Sequence, residues 1–359
     1  MDSQNTDSQS LDRYFRQEIR DMAAYVPGEQ LQGAKIIKLN TNENPYPPSP
    51  SVVNAIQQAA TQRLERYPDA LGTAFRVRAA EVLGVEPDWI LCGNGSDDIL
   101  TILTRAFVGE NQKLRLPYPS YILYRTLAEL QGARFEEVAF NANFELTEAF
   151  AEISDDLKFV FLPNPNSPSG TVIAPQAIEQ LVQRLDCPLL VDEAYADFAD
   201  HNCIDLVKRD PRVMVSRTLS KSYGLAGLRF GFLVAHPEMI GTLRKVKDSY
   251  NCDAISLAGA TAAIDDQSWL VENVRKIKLT RERMTNELRK VGFTVTDSQA
   301  NFVWCTHASW NLEDLYLKLK QDGVLVRYMP YEHWGDGLRI SVGTDDQIDA
   351  CLAFLKSYI

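Results

Sequence analysis

"KFVFLPNPNSPSGTVIAPQAIEQLVQRLDCPLLVDEAYADF", residues 158–198, sets two short apolar runs on either side of a helical pattern. "KFVFLP" and "PLLVDEA" read as buried strands, and "QAIEQLVQRL" reads as the helix that joins them. Strands joined in this way lie parallel, because an antiparallel pair would need only a tight turn. The same alternation extends outward on both sides. Upstream are "VVNAIQQAATQRL", "AFRVRAAEVL", "WILCG", "DDILTILTRAFV", "KLRLP", "SYILYRTLAELQG" and "ARFEEVAF"; downstream are "VMVSRT" and "RFGFLVA". The expectation is an α/β chain with a doubly wound, mostly parallel sheet and helices on both faces.

The texture changes after about residue 255. A long charged amphipathic stretch, "WLVENVRKIKLTRERMTNELRKVG", is followed by a helix "NLEDLYLKLKQDG", the strands "VLVRYM" and "GLRISV", and a last helix "DDQIDACLAFLKSY". This order predicts a smaller α+β domain over 256–359, beside a large domain over 49–255, with residues 1–48 packing on the smaller one. Residues 1 to about 10 read as a mobile leader.

At 359 residues the chain is of enzyme size, and its net charge of −11 argues against nucleic acid as the main partner. No apolar run reaches the length of a membrane span, and no secretory signal is visible. Six scattered cysteines, without a CxxC pair or a Cys/His cluster, read as reduced thiols in a cytoplasmic protein and point to no metal.

In open α/β sheets ligands sit beyond the carboxyl ends of the strands, so the turns there carry the chemistry. Four stand out. In "LCGNGSDDIL", Gly95, Ser96 and Asp97 open a helix whose free N–H groups suit an anion, although for this turn taken alone a helix cap by Ser96 or Asp97 is the favoured reading. "FLPNPNSPSG" is a rigid polar loop, and "PLLVDEAYADF" places Asp192 at a strand end, where a half-buried carboxylate needs a cationic or N–H partner. "SRTLSKSYGLAGLRFGF", residues 216–232, puts Lys221 among Thr218, Ser220 and Arg229. A lysine in such company is suited to act as an amine nucleophile, whereas a lone turn lysine is ordinarily a solvated charge. What decides for chemistry is the conjunction of all four turns in order.

Together, "PNPNSPSG", "VDEAYADF" and "SKSYGLAGLRFG" resemble the signature of pyridoxal-phosphate enzymes of the aspartate-aminotransferase fold, fold type I, and the resemblance runs over nearly the whole chain. "YVPGE", "LNTNENPYPP", "YPD" and "LRISVGT" are most similar to the histidinol-phosphate aminotransferase branch of that superfamily. The resemblance implies pyridoxal 5′-phosphate as cofactor, with Lys221 bonding its aldehyde and later moving the substrate Cα proton. It implies that Asp192 pairs with the pyridine nitrogen and that Tyr195 hydrogen-bonds the ring oxygen. Gly95, Ser96, Asp97, Thr218, Ser220 and Arg229 would hold the phosphate. Of Tyr118, Tyr121 and Tyr124, Tyr121 is expected to stack on the ring.

Tyr67 resembles a tyrosine that reaches the neighbouring subunit's cofactor, which implies a homodimer with shared active sites; ordinary packing is the plainer account of these tyrosines. The family loop carries two adjacent asparagines, whereas this chain has Asn166 then Ser167. Either one must therefore meet the ring oxygen, and Asn166 is assigned the role. Arg339 resembles the clamp for the carboxylate of glutamate or 2-oxoglutarate. Arg327 would assist with a substrate phosphate, unless it is a surface strand charge, and Tyr25 and Asn44 would close the mouth.

The activity implied is amino transfer between glutamate and imidazole acetol phosphate, giving histidinol phosphate in histidine biosynthesis. The alternatives are an aromatic amino-acid aminotransferase, a phosphothreonine decarboxylase and a catalytically silent binding module. The last is expected to lack the lysine or the aspartate, and both are present.

Overall fold

The computed structural model describes residues 11–23, 28–29 and 36–358. The leader at 1–10 and Tyr25 lie outside the described residues. The strands are β1 (Ile37–Lys38), β2 (Ile90–Gly93), β3 (Lys113–Tyr118), β4 (Arg134–Ala139), β5 (Leu157–Pro163), β6 (Leu189–Asp192) and β7 (Val213–Thr218). They continue with β8 (Gly231–Val234), β9 (Thr294–Val295), β10 (Phe302–Thr306), β11 (Val324–Leu325), β12 (Arg327–Tyr331) and β13 (Gly335–Ser341).

Seven strands form one sheet in the order β2-β8-β7-β6-β5-β3-β4. Its pairings are parallel except those made by β8, which runs against both β2 and β7. The near-continuous apolar runs read in the sequence are buried on both faces, and the pleat sorts them. Val160, Leu162, Leu189, Val191, Val213 and Val215 enter one core; Phe159, Phe161, Leu190 and Met214 enter the other. The helix Pro175–Arg184 makes the β5–β6 crossover and buries Ile178, Leu181 and Val182.

A second, antiparallel sheet has the order β12-β13-β10-β9, and β1 pairs in parallel with β11. Here the expectation of one strand over "VLVRYM" is corrected. Val324–Leu325 bonds to the N-terminal segment, Arg327–Tyr331 bonds to β13, and buried Val326 marks the change of partner. The division at 255/256 also cuts an element: Ala254–Asp265 is a single helix, capped by Asp253, and it sends Ala260, Ala263 and Ile264 into the core of the larger sheet.

The reversed β8 has a direct consequence for the site. Gly231, at its start, lies opposite both Gly93 of β2 and Thr218 of β7, so the residue two before it, Arg229, arrives at the carboxyl edge of the parallel strands. A side chain at Gly231 would put its Cβ 2.6 Å from the Ser96 nitrogen and 2.9 Å from the Arg217 carbonyl oxygen, which leaves glycine as the residue that fits.

Candidate active site

Asp192 ends β6 and is 5% exposed. Its two oxygens accept from the Tyr124 hydroxyl at 2.7 Å and the Ser216 hydroxyl at 3.0 Å. Burial raises its pKa, and these two hydrogen bonds only partly offset that effect. Burial, and next the charge of Asp192, hold the Tyr124 phenol well above its ordinary range, so Tyr124 remains the donor. No lysine or arginine among the described residues pairs with Asp192. A buried carboxylate without a cation is costly, and a cationic N–H on a bound group would satisfy it.

Lys221 sits beyond β7 with Nζ 3.2 Å from the Thr41 carbonyl oxygen and 5.8 Å from the centre of the Tyr195 ring. Its backbone is held from two sides. The Asn44 amide donates to the carbonyls of Lys221 and Ser222, at 3.0 and 2.9 Å. Beneath the turn, the Ser222 hydroxyl donates to Asp197, which also receives Arg217 at 2.8 Å; Arg217 reaches Glu193 at 2.8 Å as well. Burial works against the Arg217 charge, but Glu193 and Asp197 outweigh it and raise its pKa.

The anion cup forms where the helix Ser96–Phe107 begins. Gly95 has φ +84°, and a Cβ there would lie 2.7 Å from the Arg229 guanidinium. Arg229, in the left-handed region at φ 53°, reaches Asp97 at 3.2 Å and Ser220 at 3.4 Å, and the Thr218 hydroxyl bonds to Ser220 at 3.0 Å. The helix start, a guanidinium and two hydroxyls are a donor set for phosphate. Asp97 anchors Arg229 through its carboxylate, so toward an anion it offers only its backbone N–H.

Tyr121 is half-buried, edge-on to Tyr124 with ring centres 5.5 Å apart. The Tyr195 oxygen accepts from the Asn42 amide at 2.9 Å. Both amide hydrogens of Asn166 are engaged, by Ser169 at 2.9 Å and the Pro119 carbonyl at 3.3 Å, and its buried Oδ1 has no partner. That free oxygen cannot donate. The Ser167 hydroxyl accepts from Arg339 at 3.0 Å and keeps its own proton for another acceptor.

Arg339 also donates to the Asn40 carbonyl at 3.1 Å, and its buried Nε has no partner. Arg327 lies directly across from it in the β12–β13 register, its side chain without a hydrogen bond or ion pair among the described residues. Tyr67, by contrast, is 80% exposed and stacks on Tyr250 with ring centres 4.3 Å apart.

Sequence reasoning missed Thr41 and Asn42, and it offered Tyr124 only as a stacking candidate. The asparagine-rich "LNTNENPY" was the available signal for the first two. Residues 40–44 form a strap in which Asn40 meets Arg339, Thr41 meets Lys221, Asn42 meets Tyr195 and Asn44 holds the lysine turn.

The family model for aminotransferase class I and II matches residues 34–355. The chain is 60% identical over 343 residues to a histidinol-phosphate aminotransferase of Rhodopirellula baltica, covering 95% of each chain. It is 45% identical to histidinol-phosphate aminotransferase 1 of Trichormus variabilis, covering 94% of this chain and 96% of that one. Among solved structures, the histidinol-phosphate aminotransferase of Sinorhizobium meliloti in complex with pyridoxal-5′-phosphate superposes with a TM-score of 0.87 at 25% identity, over 96% of this chain and 98% of that one. With a buried acid lacking a cation, a lysine on a clamped turn and an anion cup at one sheet edge, this match over most of the chain means that the protein belongs to the class I and II aminotransferase family.

Proposed function

We propose that the chain exchanges an amino group between glutamate/2-oxoglutarate and histidinol phosphate/imidazole acetol phosphate, in the biosynthetic direction, with pyridoxal 5′-phosphate as cofactor. The observation that carries the substrate assignment is the pair Arg327 and Arg339, register partners with no carboxylate partner among the described residues, joined to the lysine through the strap at Asn40 and Thr41. Two guanidinium groups suit substrates that present a carboxylate in one half-reaction and a phosphate in the other. Relatives at 60% and 45% identity carry the same activity in their names.

The bound cofactor supplies an electron-withdrawing ring that accepts the electron pair left when a substrate Cα–H bond breaks. The chain does the rest. Lys221 would hold the cofactor's aldehyde carbon and would take the substrate Cα proton on Nζ. Asp192 holds a proton at the ring nitrogen. The cup of Ser96, Thr218, Ser220 and Arg229 grips the phosphate, and Tyr121 covers the ring. Ser167 replaces Asn166 as the loop donor to the ring oxygen, because the Asn166 amide hydrogens are already engaged. Arg339 clamps the amino donor's carboxylate.

Replacing Arg327 with methionine should lower the efficiency of the histidinol phosphate half-reaction by about 10- to 100-fold, the loss of one charge-assisted hydrogen bond. Turnover of phenylalanine should stay within about threefold. Single half-reactions with histidinol phosphate, phenylalanine, tyrosine and phosphothreonine, followed by cofactor absorbance, test this. An equal fall for all substrates removes Arg327 from phosphate recognition, and a wild-type preference for phenylalanine transfers the reading to an aromatic aminotransferase.

A homodimer fits the surface: Tyr67 and Tyr250 stack in the open, with Leu64, Leu71, Val53 and Val77 also exposed. Sedimentation equilibrium should give twice the chain mass, and a monomer at micromolar concentration would refute it. Six free, buried cysteines suit a reducing cytoplasm, and no described helix is long and apolar enough to cross a membrane. We retain the division into two domains but place the boundary at the turn near 266, after the helix that packs into the larger core.

A further inference from the structure

Asn42 is 1% exposed, has φ 56° and touches no part of the anion cup, yet every polar group it owns is bonded. Its backbone N–H donates to the Ser341 hydroxyl at 2.9 Å, and its Oδ1 accepts from that hydroxyl at 3.1 Å. Its carbonyl accepts from the fully buried Asn301 amide at 2.9 Å. These bonds fix the amide plane, so Nδ2 is the group presented to the Tyr195 oxygen at 2.9 Å. A phenol has one proton to donate. By filling an acceptor position on that oxygen, Asn42 leaves the proton free to point elsewhere.

We propose that Asn42 is a positioning residue that makes Tyr195 a one-way donor: the Asn42 amide occupies the phenol oxygen as an acceptor, and the Tyr195 proton is thereby directed to the cofactor's ring oxygen. The inference rests on the aminotransferase reading above and adds to it a residue that does not itself touch the cofactor. The charged and titratable groups facing Tyr195 are Lys221, 5.8 Å from its ring, and Tyr124, backed by Asp192; none competes with Asn42 for the phenol oxygen in a bond on this structure. Phe302 closes the ring from the small sheet, edge-on at 5.0 Å.

Asn42→Asp reverses the bond, because a carboxylate only accepts and therefore draws the Tyr195 proton to itself. Asn42→Gly deletes the amide while suiting the left-handed backbone. A hydrogen bond donated to the ring oxygen favours the form with more negative charge there, which is the deprotonated form of the lysine-bound cofactor. Losing it raises the pH midpoint of the cofactor's visible absorbance change.

The experiment is that titration in the holoprotein for wild type, Asn42→Asp and Asn42→Gly, each repeated in a Tyr195→Phe background. The expected result is a midpoint raised by about one pH unit or more in Asn42→Asp and by less in Asn42→Gly. In the Phe background, neither substitution should move it further by more than about 0.3 unit. Equal shifts with and without the Tyr195 hydroxyl mean that Asn42 acts by charge or by folding, and this overturns the proposal; so does an unmoved midpoint. If Asn42→Asp does not fold, Asn42→Gly carries the same comparison. A wild-type protein that gives no lysine-dependent absorbance with the cofactor would instead bring down the aminotransferase reading and this inference with it.

Discussion

Lys221→Ala should retain the fold and bind pyridoxal 5′-phosphate non-covalently, yet turn over at least about 10⁴-fold more slowly than wild type. The size follows from two roles failing together. On the proposed reading the side chain is both the covalent anchor at rest and the base at the substrate Cα, and its neighbours are engaged elsewhere. The Tyr195 oxygen already accepts from Asn42, and Asp192 is bonded to Tyr124 and Ser216. Binding should survive because the cup of Ser96, Ser220 and Arg229 does not depend on the lysine amine. Absorbance of single half-reactions with glutamate measures the loss. A variant within tenfold of wild type would remove Lys221 from the chemistry.

Arg217→Met should cost about 3–5 kcal/mol of unfolding free energy, read from the denaturant midpoint. Arg217 is the only described cation bonded to Glu193, whose side chain is 0% exposed, and it also bonds to Asp197. Methionine fills much of the space but leaves Glu193 a buried charge with no counter-ion. A second change, Glu193→Gln, should therefore recover part of the loss, a recovery that no simple packing defect predicts. Because Asp197 also receives the Ser222 hydroxyl, the substitution loosens the lysine turn, and the stable fraction of the variant should show weaker cofactor retention. A loss below about 1 kcal/mol would place this network among those with little net effect.

Much of the larger sheet was legible because its signals are local. The runs at 159–163 and 189–191 are apolar from end to end, and each is followed by the residues that enter the site. The lysine turn and the Gly95–Ser96 helix start were legible for the same reason. The split at Val326 was not. Both halves of "VLVRYM" are apolar or β-prone, there is no glycine or proline between them, and the partner that claims Val324 is Ile37, distant in sequence.

The choice between Asn166 and Ser167 was likewise closed to sequence. It depends on which amide hydrogens are already engaged by Pro119 and Ser169, and on where Arg339 arrives. Asn42 was hidden among several asparagines whose partners, Ser341 and Asn301, come from the other end of the chain.

The strap also sets the order in which the protein can come into being. Asn40 and Asn42 meet Arg339 and Ser341, so these contacts span 299 residues. During synthesis the parallel strands can assemble as they emerge from the ribosome, but the pocket has no closed wall until the residues around 341 have followed. A stalled or clipped product that ends short of them would carry Lys221, Asp192 and the anion cup and still lack Arg339 and the partner of Asn42. A product truncated before β13 should therefore differ from the full chain in its cofactor absorbance, since Arg339 and Ser341 both belong to that strand.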